Sequence, residues 1–341
     1  MIKKELKINN FFLYWLITTF ILVFLIIIVG GLTRLTDSGL SITEWELIKG
    51  IIPPLTEQKW NFYFDQYKKI PQYELIYYNM TLEKFKVIFF WEYFHRNLAR
   101  FIGLFFLFPF LYFYFSKKIN KNEINFCFVI LSLIIFQGII GWYMVQSGLT
   151  NDVTVSHYRL SIHLTTAIII ISLIFWLIKS VITRKNKNFF KFSKQNIPFQ
   201  LLIFLIFLQI VMGAFVSGLD AGKIYQTWPL MGNNYFPNDL FPHSFINFFE
   251  LNNHSLVQFY HRNLAYLIVF YYLFLNLYIY KKKIFSLYNA LKISTIILLL
   301  QIGLGILTLI SGLNIYLASM HQITSVLLIL SALNLYFIRA K

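Results

Sequence analysis

Phe94-His95-Arg96-Asn97-Leu98-Ala99 returns later in the chain as Tyr260-His261-Arg262-Asn263-Leu264-Ala265. Around this pair Gln137, Gly141 and Ser147-Gly148-Leu149 align with Gln301, Gly305 and Ser311-Gly312-Leu313, and Ser161-Ile162-His163 aligns with Ser319-Met320-His321. The spacing between copies drifts only by small loop changes, which marks an internal repeat of half the chain. The copies lie in apolar runs of about 20 residues, each long enough to cross a hydrocarbon core of roughly 30 Å at about 1.5 Å per residue. Eight such runs fall near 11–32, 88–115, 124–146, 158–180, 198–218, 257–280, 287–311 and 315–338. A span in lipid must satisfy its own backbone hydrogen bonds, so all eight read as helices. Four spans return the chain to its starting side, so the halves 1–185 and 186–341 should have parallel topology about an axis along the membrane normal. The expected fold is an all-α membrane protein whose eight transmembrane helices form two pseudo-symmetric four-helix bundles.

Composition agrees with this pattern. Of 341 residues 58% are hydrophobic and 13% charged, with a mean hydropathy of +0.63, too apolar for a water-soluble core of this size. The net charge of +16 sits mainly in short segments between the apolar runs, which argues for membrane topology and against a nucleic-acid partner. Lys3, Lys4 and Lys7, then Lys117, Lys118 and Lys121, then Arg184 to Lys194, Lys281 to Lys283, and Arg339 and Lys341 all fall on one side. The positive-inside rule makes that side, with both termini, cytoplasmic. Met1–Asn10 is too short for an Arg-rich organelle presequence, so the expected location is a bacterial plasma membrane. Two long connections, Thr33 to Ile88 and Leu219 to Leu256, lie on the other side, and their aromatic content suggests a folded cap. The single cysteine, Cys127, lies within an apolar run and offers neither a disulfide nor a cysteine metal site.

Four of seven histidines occupy matched positions, His95 and His163 in one half and His261 and His321 in the other. A lone histidine in a span is more often a helix–helix hydrogen bonder than a ligand. A repeated pair converging inside a four-helix bundle is instead the arrangement of a bis-histidine haem, one axial nitrogen on each side of the porphyrin. Zinc fits less well, because it would need further ligands that these helices do not obviously offer. His157 lies six residues before His163, on a different helix face, and reads as interfacial; His243 and His254 read as loop residues. Arg96 and Arg262 at the membrane edge are snorkelling side chains or propionate-binding groups. Glu92 stands three residues before His95, where the second half has Gln258 before His261. Positions three apart share a helix face, so only the first half has a carboxylate beside its histidine. Such a group is a capping glutamate or a proton acceptor and charge stabiliser. Symmetry points to two haem sites and asymmetry to chemistry in one.

Five stretches, Gly30-Gly31-Leu32-Thr33-Arg34-Leu35-Thr36, Gly39-Leu40-Ser41-Ile42-Thr43-Glu44-Trp45, Pro53-Pro54-Leu55, Phe90-Trp91-Glu92-Tyr93-Phe94-His95-Arg96 and Gln226-Thr227-Trp228-Pro229-Leu230-Met231-Gly232, resemble the haem A synthase family of bacteria and mitochondria over nearly the whole chain. The resemblance implies an oxidoreductase that converts the C8 methyl of haem O to a formyl group through successive hydroxylations and loss of water from a geminal diol. It implies His261 and His321 as ligands of a resident haem b, with Arg262 beside them. His95, His163 and Arg96 would then bind the substrate haem and Glu92 would assist catalysis. The product would serve haem-copper terminal oxidases. Haem O synthase, the protohaem farnesyltransferase, is the implied upstream partner; the electron acceptor is unidentified and a homo-oligomer is compatible. Some members carry cysteine pairs in their outer loops; without them this chain is similar to the cysteine-free, proteobacterial or mitochondrial branch. A di-haem cytochrome b that relays electrons, or a haem-handling membrane protein, is the alternative on composition and histidine count alone.

Overall fold

A computed structural model describes residues 10–46, 48–150, 152–239 and 248–340. Eight helices among them are long and apolar enough to span a membrane, and the chain is a multi-pass membrane protein. They are α1 (Asn10–Leu35), α4 (Leu82–Ser116), α5 (Lys121–Gly148), α6 (His157–Thr183), α7 (Ile197–Gly218), α8 (His254–Lys281), α9 (Tyr288–Ile310) and α10 (Ile315–Arg339). Two short helices, α2 (Glu57–Tyr67) and α3 (Pro71–Leu75), lie in the first long connection. That connection is shorter than hydropathy suggests, because Thr81 caps α4 by accepting from the Lys84 N–H and the helix starts at Leu82, in a polar turn before the apolar run. His254 likewise belongs to α8 rather than to the loop, behind an Asn253 cap. His243 lies outside the described residues.

Helix ends repeat between the halves. Asp37 and Asp220, each two residues beyond α1 and α7, adopt left-handed φ values of 51° and 52°, and Lys117 and Lys283 do so after α4 and α8 at 53° and 51°. Neighbours follow the same plan: α1 packs on α4 and α6, and α5 on α4 and α6, while α7 packs on α8 and α10, and α9 on α8 and α10. Each half is thus a four-membered ring whose second and fourth spans stand across a diagonal. The halves meet through α1, α6, α7 and α10. Gly218 permits one such meeting, since a Cβ there would lie 2.8 Å from the His157 Cα.

The close-packed core occupies the lysine-rich end of the bundle, with Phe12, Leu16, Phe106, Phe110, Phe113, Ile171 and Tyr336 almost fully buried. Toward the other end it stops. No buried residue lies on α4 between Glu92 and Ile102, on α8 between Gln258 and Ile268, or on α10 before Val326. His95, His261 and His321 fall in these intervals. A smaller core of Leu40, Ile42, Phe64, Tyr67, Ile70, Phe85 and Phe89 holds the first connection as a folded cap on this end.

Candidate functional site

The first-half histidines come together across the diagonal of their helix ring. His95 on α4 faces His163 on α6, with ring centroids 6.4 Å apart and planes inclined at 64°. A first-row metal sits about 2 Å from an imidazole nitrogen, so two imidazoles ligating one ion from opposite sides have centroids roughly 6 Å apart. Each ring is backed by a glycine from a neighbouring helix. Built Cβ atoms would approach Cε1 of His95 to 3.0 Å from Gly30, of His163 to 3.3 Å from Gly141, of His261 to 3.2 Å from Gly213 and of His321 to 2.8 Å from Gly305. The same contact occurs four times, on α1, α5, α7 and α9, and leaves no depth for a larger residue behind the imidazole. Nδ1 is buried and without a protein hydrogen bond in all four. Such atoms are rare and need an explanation; imidazoles backed by glycine and without a protein partner at Nδ1 are the kind of side chain that could hold the iron of a haem.

The histidine backbones are tethered as well. Gln137 donates to the His163 carbonyl at 2.9 Å, Gln209 donates to the His261 carbonyl at 3.0 Å, and Thr324 bonds both the His321 carbonyl and Gln301. Among the described residues no three His, Cys, Asp or Glu side chains converge as a metal-binding group, so the pairs do not extend into a protein-only zinc site.

Glu92 is 3% exposed and joins the cap to Arg96 of its own helix. One carboxylate oxygen accepts from the Ser41 hydroxyl at 2.7 Å and the Ile42 N–H at 2.8 Å; the other accepts from Arg96 at 2.6 Å. Arg96 donates in addition to the Ile42 and Glu44 carbonyls at 2.8 and 3.3 Å and stacks over Trp45. In the second half Gln258 donates to the Tyr225 carbonyl at 2.8 Å, and Arg262 donates to the carbonyls of Tyr225, Thr227 and Leu230. Both arginines therefore clamp a loop over their histidine pair. The Glu/Gln difference follows the group each loop presents: an N–H and a hydroxyl in the first half, a carbonyl in the second.

Arg34, which the repeat did not single out, lies between the halves. It bonds Asp37 and Asp220 at 3.1 Å each and the Ser217 carbonyl at 2.6 Å. Tyr77 donates to the other Asp37 oxygen at 3.0 Å, and burial together with that carboxylate pushes its hydroxyl up to about 12, so it stays a donor at any ordinary pH. His157 heads α6 and packs on Phe215 of α7, apart from both pairs.

Fold and site together define a multi-pass helical membrane protein with a matched pair of histidines in each half. The family model described as cytochrome oxidase assembly protein matches residues 13–333, and the chain belongs to that family. It is 51% identical over 322 residues to the haem A synthase of Pelagibacter ubique, covering 93% of each chain. The haem A synthases of Flavobacterium psychrophilum and Rickettsia bellii are 40% and 41% identical, with at least 92% of each chain covered.

Proposed function

We propose that this protein is a haem A synthase, an oxidoreductase that takes haem O and oxidises its C8 methyl to a formyl group. The observation that carries the reading is the His95–His163 pair across a helix diagonal, with the buried Glu92 carboxylate one turn away, in a chain that aligns over 93% of its length with a haem A synthase. His261 and His321 would ligate a resident haem b. His95 and His163 would hold the substrate haem, with residues 1–185 as the substrate half and 186–341 as the cofactor half. A bound haem b supplies one-electron redox chemistry at the second slot.

The chain's own residues do the rest. Glycines fix the four imidazole planes, the cap excludes water, and Arg96 and Arg262 stand at the cap edge, where propionates would lie. Glu92 accepts three hydrogen bonds one turn from His95, where a carboxylate is suited to stabilise a developing cation or to accept a proton. The lysine distribution supports cytoplasmic termini, and the bacterial relatives suit a plasma-membrane location. Haem O would come from the farnesyltransferase that makes it, and a homo-oligomer is compatible with the exposed helix faces.

Cells supplied with a haem O source and expressing the protein should contain haem A on extraction and chromatography. His261→Ala and His321→Ala should lose the low-spin haem b signal. Glu92→Gln should retain it while haem A falls at least tenfold. Haem b content without any haem A in the parent protein would instead make it an electron relay, and undiminished haem A in Glu92→Gln would make the carboxylate purely structural.

A further inference from the structure

Three of the four matched histidines are tethered from the helix that backs them. Gln137, four positions before the Gly141 behind the His163 ring, donates to the His163 carbonyl at 2.9 Å. Gln209, four positions before the Gly213 behind His261, donates to the His261 carbonyl at 3.0 Å and lies 3.4 Å from Nε2 of the same residue. Gln301, four positions before the Gly305 behind His321, reaches that turn through Thr324, which bonds both Gln301 and the His321 carbonyl. Positions four apart share a helix face, so glycine and glutamine meet the histidine together. His95 is the exception. Gly30 of α1 backs its ring, and four positions earlier α1 carries Ile26, a partly buried side chain with nothing to donate.

The other fastening of these turns is to the loops. Glu92 and Arg96 tie the His95 turn to Ser41, Ile42 and Glu44. Gln258 and Arg262 tie the His261 turn to Tyr225, Thr227 and Leu230. The second-half turn is therefore held from α7 and from its loop, whereas the polar ties of the His95 turn run to its loop alone. This is no general loosening of the first half, because His163 keeps its glutamine. One hydrogen bond shifts an equilibrium roughly two- to tenfold, enough to decide which of two opposed imidazoles lets go of a shared iron first. The untethered histidine is also the one beside Glu92, in the half read as the substrate half. A resident haem gains from two tethered ligands; a haem that must come and go needs one that yields.

We propose that His95 is the yielding ligand of the first slot, made so by Ile26, and that the substrate haem is taken up and released on its His95 side while His163 keeps the iron. The inference rests on the haem A synthase reading. The exchange moves no electrons: a single iron–nitrogen bond breaks on release and forms on uptake.

The probe is carbon monoxide, which binds a reduced bis-histidine haem only after one imidazole has let go. The full chain carrying both haems, reduced in nanodiscs, should bind it in two phases, the faster from the first slot. Ile26→Gln restores a glutamine at the register and should slow the fast phase roughly two- to tenfold without moving the slow one. Gln209→Met, of similar size but without a donor, should speed the slow phase by a similar factor. A fast phase unmoved by Ile26→Gln, or two haems reacting at one rate, would overturn the proposal. So would a slow phase unmoved by Gln209→Met, whether or not Ile26→Gln assembles. A parent protein that takes up haem only in its second slot would overturn the substrate-site reading, and this inference with it.

Discussion

A methyl group at Gly305 would lie 2.8 Å from Cε1 of His321, whereas one at Gly303 on the same helix would meet nothing within 4 Å. Overpacking of this kind costs about 1–3 kcal/mol, and the nearest atom belongs to a ring whose orientation is its function. Gly305→Ala should therefore lower haem retained per protein about tenfold or more by pyridine haemochrome assay, with Gly303→Ala unchanged; equal retention in the two would show that the glycine does not set the imidazole. Gly305 and its counterpart Gly141 were visible in the repeat. Gly30 and Gly213 were not, because no repeated motif surrounds them and only helix register brings them to the rings. The arginines show the limit at this scale from another side. Sequence offers Arg96 and Arg262 either water or a carboxylate, and their loop carbonyls come from dozens of residues away in a segment without periodicity.

Elements were legible where lipid dictates them. Hydropathy placed all eight spans, but put the start of α4 six residues late because its first turns, Leu82-Glu83-Lys84, are capped and polar rather than apolar. The caps follow no such rule, and their fastening rests on contacts between residues far apart in the chain. In the second connection Asp239 accepts from Ser255 of α8 at 2.6 Å and from Tyr225 at 2.8 Å. Burial pushes its carboxyl up, but these hydrogen bonds outweigh burial and leave it below the usual value. A depressed carboxylate contributes stability above its unfolded pKa and loses it as pH falls through the folded one. Protease protection of residues 225–239 should thus persist at neutral pH and through the ordinary aspartate range, and fail only in stronger acid. Asp239→Asn should weaken it at pH 7. Protection that already fails near pH 5 in the parent protein would contradict this fastening.

At the scale of the molecule the two halves must hold together as well as fold. Arg34 is a charged tie between them, set between two aspartates that end equivalent helices with the same left-handed turn. Its side chain is 18% exposed and its partners are 39 and 41% exposed, so the bridge is worth more than a surface pair and less than a buried one, about 1–2 kcal/mol. Arg34→Ala should lower the thermal midpoint in detergent measurably, and Arg34→Lys, whose single ammonium lacks the fork, should recover only part. A midpoint unmoved by Arg34→Ala would remove the tie. Sequence alone determined the membrane class, the number of spans, the repeat and the four paired histidines. Each is written in a local period or in an exact echo, and lipid allows no alternative way to satisfy a spanning backbone. Tertiary structure alone decided that the histidines stand across diagonals against glycine, that Glu92 and both arginines grip the cap, and that Arg34 joins the halves. Those contacts link residues far apart in the chain, and their geometry exists only once the helices have packed.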